Sequence, residues 1–290
     1  MTGYVWITMR PSHWIKNVFV FAPLFFSGGA TDMIKLGRVF LVFISFSAMA
    51  SAVYFLNDII DRKRDRSHPQ KCLRPIASGA LSIKNGIFFG LGLAMFSLAL
   101  AYSIDQMLVL LLLLYSVINV LYSFWLKHIV IVDVFVISLM FVLRVLSGGA
   151  AIHVELTAWL LIATFLLALF LALAKRRHEL VVVENGTNDQ RPVLNQYTLQ
   201  LADEMMSLIT PVILITYILY TLSPETLARF NSKMLYSTSI FVVFGIMRYL
   251  YLVHRKNLGG SPAELVIHDL PLLIAIVGWI LSFYLIIYAH

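Results

Sequence analysis

The sequence predicts an all-α integral membrane protein that folds as a single bundle of nine transmembrane helices. Apolar residue types make up 60% of the 290 residues and charged types 13%, against about 45–50% and about 25% in soluble domains. The mean hydropathy is +0.86. This composition excludes a water-soluble globule, a disordered chain and a disulfide-rich secreted module. The one cysteine, Cys72, cannot form an internal disulfide.

Each predicted helix is an apolar stretch of the length that crosses a bilayer core of about 30 Å, for which about 20 residues suffice. The expected spans are 13–28, 38–57, 84–104, 107–124, 130–152, 157–175, 204–222, 234–252 and 270–288. The first is the shortest, and a tilted or partly re-entrant form is compatible with its length. Polar connections follow the second, sixth and eighth spans, and no long linker or soluble domain interrupts the chain. We therefore expect residues 1–290 to form one transmembrane domain.

Basic residues predict the orientation of this bundle. Most Lys and Arg side chains fall in the N-terminal segment and in the connections after the even-numbered spans, and the other side carries Lys35, Arg38, Arg229 and Lys233. The positive-inside rule then places the N-terminus in the cytoplasm and the C-terminus outside, in a bacterial inner membrane. The net charge of +7 follows from this topology and does not indicate nucleic-acid binding.

Acidic residues do not follow the positive-inside rule, yet they gather on the same side. The sharpest motif is Asn57-Asp58-Ile59-Ile60-Asp61-Arg62-Lys63-Arg64-Asp65, at the end of the second span. Its carboxylates at i, i+3 and i+7 share one face of a continued helix. They repel one another unless a cation joins them, and Mg²⁺ takes such oxygen ligands together with substrate phosphates. The alternative is a solvated helix end whose aspartates pair with Arg62, Arg64 and Arg66.

The following loop carries Lys71 and Arg74, which suit phosphate oxygens. Ordinary positive-inside flanking is the alternative for both. His68, just before Pro69, has either a catalytic role or the role of a turn residue.

Further basic residues lie at the ends of later spans. Lys127 follows Tyr122 in a short connection, and Asp133, near the start of the fifth span, is expected to orient a base or a metal-bound water or to cap a helix. Arg144 lies deep in that span, where a charge must face the interior or a wet cavity. It reaches either a phosphate or a carboxylate.

The sixth span ends in Lys175-Arg176-Arg177-His178-Glu179, followed by a polar loop with Arg191. Three consecutive cations form either an anion-receiving site or a stop-transfer cluster. Near the N-terminus, Arg10 to Asn17 is an interfacial segment anchored by Trp14, in which Lys16 is a candidate substrate contact.

Together these blocks resemble the UbiA superfamily of intramembrane prenyltransferases. The resemblance rests on Asn57-Asp58-x-x-Asp61-x-x-x-Asp65, on His68-Pro69-x-Lys71-x-x-Arg74-Pro75, on Tyr122 to Lys127 with Asp133, on Leu143-Arg144 and on Lys175-Arg176 with Glu179. It runs from Arg10 to about Tyr197. Ordinary members carry a second aspartate-rich motif after the sixth span, where this chain has mainly cations.

The resemblance implies a Mg²⁺-dependent enzyme of a phosphoribosyl-transferring kind. The 5-phosphoribosyl group of 5-phosphoribosyl 1-diphosphate would pass to a polyprenyl (decaprenyl-type) phosphate, for cell-wall precursor synthesis. Metal ligands would be Asp58, Asp61 and Asp65, and catalytic residues Asp58, Asp61, Lys127 and Asp133. Substrate-binding residues would be Lys16, Asn57, Asp65, Lys71, Arg74, Tyr122, Arg144, Lys175, Arg176, Arg177, Glu179 and Arg191.

Two other functions compete with this interpretation. An aromatic prenyltransferase would use the same aspartates on a prenyl diphosphate, and a lipid-phosphate transporter would move substrate without releasing diphosphate. The acceptor's length and saturation stay open, and the chain is compatible with a monomer or a homo-oligomer.

Overall fold

The computed structural model describes residues 2–68, 70–184 and 192–288, and among them no β-strand occurs. The α-helices, in chain order, are α1 Thr2–Met9, α2 Ala22–Phe26, α3 Met33–Ile60, α4 Arg62–Arg66, α5 Pro75–Ser78, α6 Ile83–Ile104, α7 Gln106–Phe124, α8 Val132–Ala151, α9 Ala158–Glu184, α10 Leu199–Leu222, α11 Pro224–Phe230, α12 Ser239–Arg255, α13 Pro262–His268 and α14 Leu270–Tyr288. Short 3-10 helices cover Pro11–Phe21, Lys71–Leu73, Leu126–His128, Pro192–Gln196 and Met234–Thr238.

The predicted fold class is confirmed. Within the described residues, eight helices are long and apolar enough to cross a membrane: Met33–Ile60, Ile83–Ile104, Gln106–Phe124, Val132–Ala151, Ala158–Val183, Leu199–Leu222, Met234–Arg255 and Leu270–Ile287. These match the second to ninth predicted spans. Side-chain caps begin several of them, for example Asp32 on α3, Ser82 on α6 and Thr198 on α10, and each supplies an acceptor for backbone amides that the first helical turn leaves unpaired.

The first predicted span has a different form, because it is a 3-10 helix of 11 residues followed by the 5-residue helix α2. At three residues per turn, Trp14, Asn17 and Val20 lie on one face. Trp14 donates to Ser51 Oγ and Asn17 donates to Ser47 Oγ, both at 3.1 Å. At rises of about 2.0 and 1.5 Å per residue this segment extends about 30 Å, the thickness of a bilayer core.

The chain divides into two compact units. The first comprises Met1–Leu126 and Met140–Leu156, and the second comprises Lys127–Leu139 and Thr157–His290. In the first unit, α3 packs along α6, where Gly86, Gly90, Ser97 and Ala101 are buried. Small residues let two helix backbones approach closely. A smaller core of the same unit contains Phe55, Ile76 and Leu81.

The second unit is built on α9, α10, α12 and α14. Its main core consists of apolar side chains from these helices and from the first turns of α8, including Val134, Phe170, Met206 and Leu252. A separate apolar cluster, which we call the Tyr197 cluster, contains Leu180, Val193, Leu194, Tyr197 and Ala202. In this cluster, side chains of the 3-10 helix Pro192–Gln196 and of the residues after it pack against Leu180 of α9.

Candidate active site

In the first unit, the end of α3 brings two of the predicted aspartates together with two arginines. Asp58 is 1% exposed and Asp65 is 4% exposed, although both are ionisable groups. Arg74 Nη1 joins them, at 2.8 Å from Asp65 Oδ2 and 3.3 Å from Asp58 Oδ1. Arg10 Nη2 donates to the same Asp58 Oδ1. The two carboxylates are therefore neutralised by arginines that lie outside the helix end carrying them.

Asp61 lies between them at the junction of α3 and α4, half-buried, with its backbone amide bonded to Asn57 O. In residues 2–68, 70–184 and 192–288, no group of three or more His, Cys, Asp and Glu side chains is arranged to hold a metal ion. The three-aspartate ligand set is therefore not assembled in this conformation. It stays a prediction for the substrate-bound protein.

Two buried oxygens of this cluster lack hydrogen-bond partners among the described residues. They are Asp58 Oδ2 and Asn57 Oδ1. An unpaired buried acceptor costs free energy, so such atoms are rare unless a ligand satisfies them. Carboxylate and amide oxygens are ligands of the hard divalent cations, and Mg²⁺ needs only one or two carboxylates when substrate phosphates complete its shell. The residues present therefore fit a Mg²⁺ ion.

Two of the three arginines of α4 bind backbone carbonyls rather than these aspartates. Arg62 Nε donates to Ile76 O at 3.1 Å and Arg66 Nε donates to Ala77 O at 2.9 Å, which anchors the short helix α5. The structure thus disfavours the simple alternative of local salt bridges along the helix end. His68 has the turn role, since its Nδ1 accepts from the amides of Gln70 and Lys71 at 3.1 Å.

Arg10 is the functional candidate that the sequence interpretation missed. Its backbone is left-handed, with φ 53°, and this conformation turns the chain between α1 and the 3-10 helix Pro11–Phe21. Its guanidinium lies 4.8 Å from the centroid of the Tyr54 ring, and Ser51 Oγ fixes the preceding residue by donating to Met9 O. The signal was present in the sequence, because a cation directly before Pro11 opens the N-terminal block of the family resemblance.

Arg144 in α8 is 5% exposed and binds uncharged groups. Its Nε donates to Asn17 Oδ1 at 2.8 Å, Nη1 donates to Met140 O at 2.6 Å and Nη2 donates to Tyr115 Oη at 3.1 Å. The guanidinium carbon is also 4.9 Å from the centroid of the Tyr115 ring. Arg144 therefore holds the 3-10 segment to α7 and α8, and its contact with a substrate phosphate stays a prediction.

In the second unit, Asp133 is fully buried and both of its oxygens accept strong hydrogen bonds. Arg176 Nε donates to Oδ2 at 2.7 Å, and Tyr197 Oη donates to Oδ1 at 2.7 Å. Arg176 Nη1 also donates to Glu179 Oε2 at 2.5 Å. Burial, together with the hydrogen bond to Asp133, raises the pKa of Tyr197, so its hydroxyl stays protonated. Asp133 therefore orients Arg176 and Tyr197 in this structure, and its catalytic role stays a prediction.

Arg177 is committed to a second network. Its Nε donates to Asp203 Oδ1 at 2.6 Å, and its Nη1 donates to Val253 O at 3.0 Å and to Asn257 Oδ1 at 3.3 Å. His178 Nδ1 lies 2.7 Å from Asn257 O. These contacts tie α9 to α10 and to the chain after α12, so two of the three consecutive cations already have carboxylate partners.

The remaining predicted residues are distributed over both units. Lys71, Tyr122, Lys127 and Lys175 are half-buried, and Lys16 is exposed. Arg191 lies outside the described residues. None of the contacts given above joins these five described residues to the aspartates, and their roles stay predictions.

Several known proteins resemble this chain. The UbiA prenyltransferase family matches residues 17–270. A decaprenyl-phosphate phosphoribosyltransferase of Mycobacterium tuberculosis (strain CDC 1551) is 31% identical over 276 residues, which is 94% of this chain and 90% of the relative. A protein of the same name from Corynebacterium glutamicum is 28% identical, over 97% of this chain and 85% of the relative.

The solved structure of a UbiA homolog from Archaeoglobus fulgidus, bound to GPP and Mg²⁺, is similar in fold. Its TM-score is 0.73 at 19% identity, and the match covers 98% of this chain and 99% of that one. A structure of digeranylgeranylglyceryl phosphate synthase gives a TM-score of 0.66 at 18% identity, covering 100% and 99%.

The eight apolar helices define an integral membrane protein, and the family match and the relatives' names place it in the prenyl-phosphate transferase class. The family match and the curated relatives show which one: the chain belongs to the UbiA prenyltransferase family.

Proposed function

We propose that this protein transfers the 5-phosphoribosyl group of 5-phosphoribosyl 1-diphosphate to a polyprenyl phosphate and releases diphosphate. The observation that carries the proposal is the cluster at the end of α3, where Asp58 and Asp65 share Arg74 and the oxygens Asp58 Oδ2 and Asn57 Oδ1 lack partners. Acidic and basic groups mixed in this way suit a metal ion and a diphosphate together. The names of the curated relatives support the phosphoribosyl donor.

The aspartates and Asn57 supply oxygen ligands for Mg²⁺. Asp58 would hold the ion through Oδ2, with Asp61 and Asp65 contributing directly or through water. When bound, the ion would neutralise charge on the diphosphate leaving group as the bond from C1 to oxygen breaks. Asp58→Asn removes the negative charge and replaces one carboxylate oxygen by an amide nitrogen, while it keeps the side-chain shape.

Arg10 and Arg74 would change partners when donor binds. In the structure both guanidiniums neutralise Asp58, and a divalent cation at that carboxylate would make them redundant there. Each could then donate to diphosphate oxygens, because charge-assisted hydrogen bonds to phosphate suit a guanidinium. Contacts that strengthen as negative charge grows on the leaving group lower the barrier of the chemical step.

The second unit supplies cations where ordinary family members carry carboxylates. We assign Lys127 and Lys175 to phosphate groups of the substrates, since both are half-buried. Arg176 and Arg177 are assigned to positioning, because Asp133, Glu179 and Asp203 already hold them.

The acceptor is already an anion, so the reaction needs no strong protein base. Asp133 fits this scheme as an orienting group, since its two oxygens accept from Arg176 and Tyr197. The phosphate oxygen of the polyprenyl phosphate forms the new bond to C1 while the electron pair of the old C1–O bond leaves with diphosphate. We place this chemistry at the cytoplasmic face of a bacterial inner membrane, where a water-soluble sugar diphosphate is accessible, and assign the product to cell-wall precursor synthesis.

The test is a transfer assay on the purified protein in detergent. Ribose-labelled 5-phosphoribosyl 1-diphosphate is incubated with decaprenyl or undecaprenyl phosphate and Mg²⁺, with and without chelator, and label in the organic phase is measured. We expect transfer that requires Mg²⁺, and a loss on the order of 100-fold or more in Asp58→Asn, the size of effect seen when one transition-state contact is removed.

The matched control is Asp32→Asn. This makes the same chemical change at the other end of α3, where Asp32 caps the helix by accepting from the amides of Ile34 and Lys35 and pairs with the Lys35 side chain. Full activity of Asp58→Asn in folded protein would refute the metal assignment. Transfer from a prenyl diphosphate to an aromatic acceptor, with none from the phosphoribosyl donor, would instead establish an aromatic prenyltransferase. Movement of the lipid phosphate across vesicles without diphosphate release would establish a transporter.

A further inference from the structure

The connection between α7 and α8 contains a strained residue. Ile131 has φ 70°, in the left-handed region that β-branched side chains rarely adopt. Residues in such conformations persist only where their surroundings hold them, and they cluster at functional sites. The 40% exposure of the Ile131 side chain means that core packing does not explain the conformation.

The backbone carbonyl of this residue accepts from the amide of Phe135 in α8, and a side-chain hydroxyl group holds its backbone amide. Tyr197 Oη accepts from the backbone amide of Ile131 at 2.8 Å and donates to Asp133 Oδ1 at 2.7 Å. Tyr197 is 4% exposed, and Val130 packs against the Tyr197 cluster. Tyr197 thus binds the connection at Ile131 and the start of α8 at Asp133. Val130 attaches the connection further by packing against the Tyr197 cluster.

The connection also carries Lys127, which lies in the short 3-10 helix Leu126–His128. We propose that Tyr197 is a positioning residue that fixes the Lys127-bearing connection by holding Ile131 and Asp133 in place. The proposal deepens the proposed function and rests on it, because Lys127 is there assigned to a substrate phosphate. Tyr197 itself touches no substrate in this assignment and acts through Lys127.

The chemistry of the hydroxyl supports this role. Burial and the hydrogen bond to Asp133 raise the pKa of Tyr197, so it remains a donor to the carboxylate. Its oxygen still has a lone pair for the Ile131 amide. Phenylalanine would keep the ring in the Tyr197 cluster and remove both hydrogen bonds, so Tyr197→Phe separates positioning from packing.

The first measurement is hydrogen–deuterium exchange on the detergent-solubilised full chain, which needs no activity. In Tyr197→Phe we expect the Ile131 amide to exchange about tenfold faster, the effect of losing one intramolecular hydrogen bond. Tyr236→Phe is the matched control, since this exposed tyrosine lies in the 3-10 helix Met234–Thr238 of the same unit. Unchanged exchange at Ile131 in Tyr197→Phe would overturn the proposal.

The second measurement is a rescue. Tyr197→Phe should lower kcat/KM for the phosphoribosyl donor, and Ile131→Asn in the same chain should restore most of it, because asparagine tolerates a left-handed backbone. Failure of the rescue, with equal thermal stability of both variants, would mean that Tyr197 does not act through Ile131. If the wild type transfers no phosphoribosyl group, the proposed function fails, but the exchange measurement still decides whether Tyr197 holds Ile131 in place.

The wild-type protein provides a further safeguard should Tyr197→Phe fail to fold. The Ile131 amide must then exchange slowest among the amides of residues 126–131. Rapid exchange there in the wild type would overturn the proposal without any variant.

Discussion

Gly148 in α8 is the position where the fold of the first segment can be tested most directly. A Cβ atom built on Gly148 would lie 2.9 Å from the carbonyl carbon of Val20, nearer still to its oxygen, and 3.2 Å from Pro23 Cδ. Real Cβ atoms keep at least about 3.4 Å from such neighbours. Because a backbone carbonyl cannot rotate out of the way, Gly148→Ala must push the 3-10 segment off α8.

The expected magnitude combines two opposing effects. Overpacking costs about 1–3 kcal/mol, and we take the upper value because the obstructing atoms are backbone. Replacing a helical glycine by alanine returns about 1 kcal/mol. The net loss of about 2 kcal/mol corresponds to a Tm lowered by about 4–8 °C at the usual sensitivity of proteins of roughly this size.

The assay is thermal unfolding in detergent, followed by intrinsic fluorescence, with Gly92→Ala as control. Gly92 lies in α6 with no atom within 4 Å of its Cβ position, so alanine there should leave the Tm unchanged or raise it slightly. A Gly148→Ala protein as stable as Gly92→Ala would refute the close approach of Val20 to α8, and with it the 3-10 form of this segment.

Two further predictions concern polar contacts between helices. Ser45 and Ser97 each donate to the other's backbone carbonyl at 2.8 Å. Ser45→Ala and Ser97→Ala should each lower the free energy of unfolding by about 0.6 kcal/mol, which is measured as a small fall in Tm. Ser103→Ala on the exposed face of α6 is the control and should leave the Tm unchanged. The hydrogen bond from Arg248 holds the pKa of Asp269 below its usual 3.8, so this pair stabilises the fold above that pH and the stabilisation disappears as pH falls through the lowered pKa. Asp269→Asn should therefore lower the Tm at neutral pH, and its difference from wild type should vanish as the pH falls through the lowered pKa of Asp269. A difference that persists at still lower pH would exclude the ion pair as its cause.

Hydropathy predicted the helices well because a membrane helix must be apolar along its whole length. Eight of the predicted spans correspond to α-helices in the described residues. The 3-10 form of the first could not be read from hydropathy, since it depends on Asn17, which Ser47 and Arg144 hold from two other helices. Only the spacing of Trp14, Asn17 and Val20 by three residues indicated it.

The candidate site was predicted in part for a related reason. The spacing of Asp58 and Asp65 placed them correctly on one face, because helix geometry is local. Their partners Arg10 and Arg74 come from turns on either side of α3, and tertiary folding alone brings them there. The sequence singled out Arg74 as a phosphate-binding candidate, but it could not show that Arg74 binds the aspartates while Arg62 binds a carbonyl.

The ion pairs of Arg10 and Arg74 with Asp58 bear on how the site works. A buried aspartate without a counter-charge is costly, so a metal-binding motif inside a membrane protein needs substitute cations whenever the metal is absent. Arg10 and Arg74 provide them for Asp58. Under the proposed function, the same two arginines would bind the diphosphate once Mg²⁺ had taken over the carboxylate. On this argument Arg10→Gln weakens donor binding and destabilises the metal-free protein, two effects that a topological arginine would not combine.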